Sequence, residues 1–164
     1  MGHGFTYQCR KCHSQFSVQL GIGMLFPKEY KACLKRIKQG KYGEEWQRLA
    51  LSEEYIAVDA SNYLYLCGAC GYWEVSPSLS LYRPKAPETI PDQQFGIKTV
   101  REWGEVPYVM PHDLENDYIF LKSYVHHCGR CGRRMHKADP VGTFALPCPK
   151  CGTENAPGWG LKWD

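Results

Sequence analysis

Cys128-Gly-Arg-Cys131-Gly132 and Leu146-Pro-Cys148-Pro-Lys-Cys151-Gly152 are the stretches on which the reading of this chain turns. In each, two thiols stand three positions apart. One tight turn can therefore aim both sulfurs at a single point while backbone N–H groups remain free to reach them. A tetrahedral metal ion takes four such ligands, so two turns complete one site. Sixteen residues separate Cys131 from Cys148, inside the spacing expected when two such pairs share an ion. The glycine after each second cysteine permits the positive φ that the turn requires.

The same word occurs twice more upstream. Tyr7-Gln-Cys9-Arg-Lys-Cys12 precedes Phe16, and Leu66-Cys67-Gly-Ala-Cys70-Gly-Tyr-Trp73 repeats the strand–turn–strand pattern. The candidate metal ligands are thus Cys9, Cys12, Cys67, Cys70, Cys128, Cys131, Cys148 and Cys151. Sequential pairing is expected, first with second and third with fourth. A cross-braced arrangement, first with third and second with fourth, is the alternative. At these residues the chain resembles the zinc-ribbon and rubredoxin-like superfamily, and Leu146-Pro-Cys148-Pro-Lys-Cys151-Gly152 is similar to a rubredoxin second knuckle. The resemblance covers the knuckles and their flanking strands. It implies a small β fold around two bound Zn2+ ions, with iron as the alternative metal, and names no activity.

Apolar residues make up 43% of the 164 and charged residues 23%, a globular composition. No apolar run is long enough to cross a bilayer, and the first residues do not read as a signal peptide. The expected location is cytoplasmic, where thiols serve metals rather than disulfides. Cys9-Arg-Lys-Cys12-His13 also matches the haem-attachment word, which is set aside because that chemistry requires export. His13, His126, His127 and His136 lie near knuckles; with eight cysteines making two full sets, they read as neighbours or surface groups. The ninth cysteine, Cys33, shares helical i, i+3, i+4, i+7 spacing with Tyr30, Leu34 and Ile37, and reads as a core residue rather than a reactive thiol.

The expected fold class is α+β, built of two small metal-stabilised, zinc-ribbon-like β units. Residues 1–82 form the first, with a helical pair inserted at about 27–52 and laid across its sheet. Residues 83–116, rich in proline yet apolar, form an ordered arm or linker. Residues 117–164 form the second, with strands at 118–125 and 143–146 leading into its knuckles and two tryptophans in the tail.

Four thiolates close a zinc ion's coordination shell, which excludes water activation there. No His-Glu-x-x-His helix, phosphate loop or nucleophile elbow is present. The acids Asp113, Glu115 and Asp117 read as a solvated loop. The expected function is a non-catalytic interaction module, an adaptor, inhibitor or accessory subunit for a protein or nucleic-acid partner, with no membrane association. A rubredoxin-like electron carrier is one alternative. A nucleic-acid-binding regulator is another, through Lys28, Lys31, Lys35 and Lys38 on one helix face or Arg130, Arg133, Arg134 and Lys137 around the third knuckle. The net charge of +3 counts the thiols as neutral and does not itself favour nucleic acid.

Overall fold

The computed structural model describes residues 2–138, 146–153 and, for the backbone alone, 159–163. The chain is α+β with antiparallel sheets, and it divides into two compact units that interleave in sequence. Unit 1 comprises residues 1–23, 61–77 and 125–164; unit 2 comprises 24–60 and 78–124.

Unit 1 is built on two hairpins. β1 (Gly2–Gln8) pairs with β2 (Gln15–Gly21) along its whole length, and β4 (Asn62–Leu66) pairs with β5 (Trp73–Pro77); β3 (Ala57–Val58) belongs to unit 2. The two hairpins join where Gly21 meets Asn62. Since β4 runs antiparallel from that point, the tips of both hairpins, residues 9–14 and 67–72, lie at the same end of the sheet. β10 (His136–Lys137) pairs with the far end of β4, opposite Leu66 and Tyr65, and β11 (Trp159–Trp163) adds to the free edge of β1.

The period-two alternation of Asn62-Tyr-Leu-Tyr-Leu66 explains how this sheet is covered. Leu64 and Leu66 face a cluster with Tyr7, Val18, Leu20 and Leu146, while Tyr65 faces a second cluster with Cys67, Cys128 and Met135. Phe16 stands between Tyr7 (centroids 5.0 Å apart, stacked) and Trp73 (5.5 Å). The Trp73 indole N–H donates to the Pro147 carbonyl at 2.7 Å, tying the outgoing strand of the second knuckle to the residue that leads into the fourth.

Unit 2 carries all the described helices. α1 (Phe26–Lys38) carries Pro27 in its first turn, where the missing N–H has no partner to lose, and buries Phe26, Tyr30, Cys33 and Ile37. It ends in a Schellman motif: the Gly40 N–H reaches the Ile37 carbonyl and the Lys41 N–H reaches that of Arg36, with Gly40 at φ 78°. α2 (Glu44–Ser52) follows. β3 (Ala57–Val58), β6 (Leu81–Pro84) and β9 (Tyr118–Lys122) form a three-stranded sheet, and β7 (Gln94–Phe95) and β8 (Lys98–Thr99) a small hairpin. α3 (Val100–Trp103) and α4 (Pro111–Asp117) complete the unit. The core includes Tyr30, Ile37, Ile56, Leu79, Leu81 and Ile90.

Three expectations need correction. Residues 83–116 are ordered and packed, but they are an integral part of unit 2 and not a separate arm or linker: Ile90, Val100, Val109 and Leu114 are buried within that unit. The helical pair at about 27–52 exists, but it belongs with β3, not with the knuckle-bearing sheet. The strand at 118–122 pairs with β6 instead of opening a C-terminal ribbon. The divisions 1–82 and 117–164 therefore do not correspond to compact units. The expected strand at 143–146 and the packing of the tail tryptophans fall outside the described residues, apart from Leu146 and the β11 backbone.

Cys33 is 3% exposed on the inner face of α1, and burial raises its thiol pKa. Cys33→Ala should cost about 1 kcal/mol, as expected for a small truncation in a packed core, and leave metal stoichiometry unchanged by elemental analysis.

Candidate metal centres

All four knuckles share one turn. The N–H of the first cysteine donates to the carbonyl five residues on (Ser14, Tyr72, Arg133, Thr153), and the N–H of the fourth residue after it returns to the cysteine carbonyl, each at 2.8–2.9 Å. That fourth residue has φ between 56° and 73° and is Gly71, Gly132 or Gly152 in three cases and His13 in the first. His13 is exposed. The haem-like word is therefore explained by backbone geometry: the histidine fills the left-handed turn position. Left-handed backbone costs a β-carbon-bearing residue roughly 1–2 kcal/mol, and glycine's extra chain entropy offsets roughly 0.5–1 kcal/mol of the relief. His13→Gly should therefore melt at the same temperature or slightly higher and keep its full metal content; loss of an equivalent would make His13 a ligand.

The knuckles come together as two quartets, Cys9, Cys12, Cys148 and Cys151 in the outer one and Cys67, Cys70, Cys128 and Cys131 in the inner one. The pairing is nested, first with fourth and second with third. This overturns both the sequential arrangement and the cross-braced one, and it places both quartets in unit 1.

Within each quartet the sulfurs lie within 4.8 Å of one another. Cys9 and Cys151 stand 3.5 Å apart, Cys12 and Cys148 3.6 Å, Cys67 and Cys131 3.5 Å, and Cys70 and Cys128 3.6 Å. A tetrahedron with zinc–sulfur arms of about 2.3 Å has edges of about 3.8 Å. The separations fit that shape and are far too long for a disulfide; all nine cysteines are free. Each quartet thus has the donors and the spacing to hold one metal ion.

The two differ in how the sulfurs are supported. In the outer quartet the Ser14 hydroxyl lies 2.9 Å from the Cys12 sulfur and 3.4 Å from that of Cys148, and the Thr153 hydroxyl lies 3.5 Å from Cys151. Ser14 draws the Cys148 pKa down to about 6, and Thr153 lowers that of Cys151. In the inner quartet the Ala69 backbone N–H, with that of Cys70, brings Cys67 down to about 6. Each quartet also holds a thiol that keeps its proton. The Cys12 N–H favours the Cys9 thiolate, but burial and the sulfurs of Cys151 and Cys12 push it up to about 11. The Tyr72 N–H favours the Cys70 thiolate, but burial and the sulfurs of Cys128, Cys131 and Cys67 push it up to about 12. A bound cation must displace those protons, so metal affinity rises with pH and falls in acid.

The basic candidates separate. Lys28, Lys31, Lys35 and Lys38 belong to α1 in unit 2, where Lys31 is engaged by Glu105 (3.2 Å) and lies 5.0 Å from the Trp103 ring centre. Arg130, Arg133, Arg134 and Lys137 are exposed on unit 1. Arg130 lies over the Tyr72 ring at 5.3 Å and Lys137 over Tyr63 at 3.5 Å. A cleft of 380 Å³ lies between the quartets, bounded by Cys70–Trp73, Arg130 and 147–152.

Ser14, Thr153, Tyr72, Trp73 and Lys150 escaped the sequence reading as site residues. One signal was present: the residue two places after the second cysteine is a small hydroxyl in knuckles one and four, and a larger Tyr72 or Arg133 in knuckles two and three. That match of types follows the nested pairing. Among the described residues no helix is long and apolar enough to cross a membrane. Compared with protein-family models, curated proteins and solved structures, the chain shows no match, so the resemblance to zinc-ribbon and rubredoxin-like knuckles stands on its residues and on the geometry of the two quartets.

Proposed function

We propose that this chain is a non-catalytic interaction module, an adaptor, inhibitor or accessory subunit, whose unit 1 is held together by two zinc ions bound through the eight knuckle cysteines. The observation that carries this is closure: each quartet offers four thiolates, which leaves no coordination position for water or substrate. Zinc supplies no redox chemistry and acts here as a staple, joining segments that are distant in sequence. The cleft between the quartets is lined without histidine or carboxylate, so it offers no acid–base pair of the usual kind. What unit 1 presents instead is an array of exposed cations beside aromatic rings, suited to docking.

Elemental analysis of the purified, full-length chain tests the reading. Two equivalents of zinc and a colourless solution are expected. Iron with visible absorption in the oxidised protein would replace the module with a rubredoxin-like electron carrier.

A further inference from the structure

We propose that the knuckle end of unit 1 binds single-stranded nucleic acid, seating an unpaired base in the cleft between the two quartets. This rests on the interaction-module reading and names the partner of that module.

Charge is the first argument. Residues 9–14, 67–72, 128–134 and 148–153 contain no aspartate or glutamate, and they carry Arg10, Lys11, Arg130, Arg133, Arg134 and Lys150. All six side chains are exposed. Two Zn2+ ions against eight thiolates leave a formal −4, so the six cations more than balance the loaded sites. The sign is also separated in depth for half of the ligands. The first cysteine of each knuckle is at most 2% exposed, and the second is half-buried in Cys12, Cys70 and Cys151 and exposed in Cys131, so half of the thiolate charge lies beneath the cationic heads and the rest lies among them. The nesting gathers these cations. Knuckles one and two share an end of the sheet, and the quartets bring knuckles four and three to them. A phosphate chain matches this surface, since neutralising phosphates with Lys and Arg drives such binding through counterion release.

The cleft provides the second argument. Its lining brings Arg130 and Lys150 together with Tyr72, Trp73, Pro147 and Pro149. Arg130 already lies against the Tyr72 ring, a flat cation–aromatic pair of the kind on which bases stack. At 380 Å³ it is near the lower end of the range for small-ligand pockets, which begins at roughly 300 Å³. That suits one planar base and not a duplex. Unit 1 has no helix among its described residues to enter a major groove, so stacking and phosphate contacts carry the recognition. A sequence-tolerant mode follows, because every base has a π-face.

The test uses the zinc-loaded, full-length chain and fluorescein-labelled short strands of mixed sequence, read by anisotropy. The single strand should bind at least about tenfold tighter than its duplex, and affinity should fall steeply between about 50 and about 200 mM salt. Arg130→Ala with Lys150→Ala should weaken binding about tenfold and flatten the salt slope by about 1.4, two contacts' worth for a single strand. Tyr72→Ala should weaken it by roughly five- to a hundredfold, as loss of one stacked base does, and Tyr72→Phe should restore it. Lys28→Ala with Lys35→Ala, in unit 2, should change nothing. Equal affinity for duplex, wild-type binding by the Arg130/Lys150 variant, or displacement by polyglutamate as effective as by unlabelled strand would overturn the assignment, the last in favour of an acidic protein. A zinc-loaded chain that ignores the strand removes this assignment alone. An iron-loaded, coloured chain removes the module reading beneath it.

Discussion

Stripping both metal ions with a chelator should unfold unit 1 and leave the core of unit 2 standing. The reason is a difference in what each unit buries. The described core of unit 1 is two small clusters, around Leu64 and around Tyr65, and the second is itself partly made of inner-quartet cysteines, Cys67 and Cys128. A structural zinc contributes on the order of 10 kcal/mol to folding in zinc-finger peptides, and a whole domain is stable by only about 5–15 kcal/mol. Two ions therefore exceed what so little buried surface can replace. Unit 2 contains neither quartet, and it buries Tyr30, Ile37, Ile56, Val58, Leu79, Leu81, Ile90 and Val109 almost completely. Hydrogen exchange resolves the two. After chelation, the amides of Cys9, Cys67, Cys128 and Cys148, which close the knuckle turns, should exchange as freely as those of an unfolded chain, and the β1–β2 ladder with them. The amides of α1 and of the β3–β6–β9 sheet should keep most of their protection. Protection lost evenly through both units would mean that they fold as one cooperative body. Protection retained at the knuckles would mean that metal is not what folds them.

Local structure was legible in the sequence wherever short-range chemistry dictates it. The knuckle turns follow from Cys-x-x-Cys and the following glycine, α1 from Pro27, its apolar spacing and Gly40, and β4 from its Tyr–Leu alternation. Even the core position of Cys33 followed from periodicity. What was not legible was which distant pieces meet. The ribbon-like gap between the third and fourth knuckles favours sequential pairing, which also closes loops of only 55 and 17 residues, whereas the nested pairing closes loops of 136 and 58. Loop-closure cost grows only with the logarithm of length, however, so the difference amounts to about 2 kcal/mol. That is small beside one metal ion or a few ladder hydrogen bonds with their packing. The register of β10 against β4 draws the third knuckle to the second. Ser14 and Thr153, on either side of the outer quartet, repeat the preference locally. The unit boundaries were missed for the same reason. An interleaved unit leaves no composition shift where the chain crosses from one unit to the other, and Pro84, Pro87 and Pro91 lie beside a buried Ile90 rather than in a tether.

Paired cysteine substitutions should read the nested connectivity directly. Serine is a poor substitute for a soft thiolate ligand, so Cys148→Ser should reduce bound zinc from two equivalents to one and destabilise the β1–β2 hairpin. Cys9→Ser should do the same, and the two together should be little worse than either, because both mutations disable one site. Combining Cys9→Ser with Cys67→Ser should remove both ions, and so should combining Cys9→Ser with Cys128→Ser. Each other arrangement inverts a different outcome. Sequential pairing would leave one ion in the Cys9/Cys67 double variant and none in Cys9/Cys148. Cross-bracing would leave one in Cys9/Cys128. Non-additivity is the diagnostic, since groups that share one site lose their joint contribution only once. Metal per chain, measured on protein exchanged free of loose zinc, is the readout, with thermal unfolding as its companion. The Cys9/Cys148 variant should melt with a single site's loss, whereas Cys9/Cys67 should resemble the chelated protein. Retention of one ion by Cys9/Cys67 would place the first knuckle with the second and reverse the topology of unit 1.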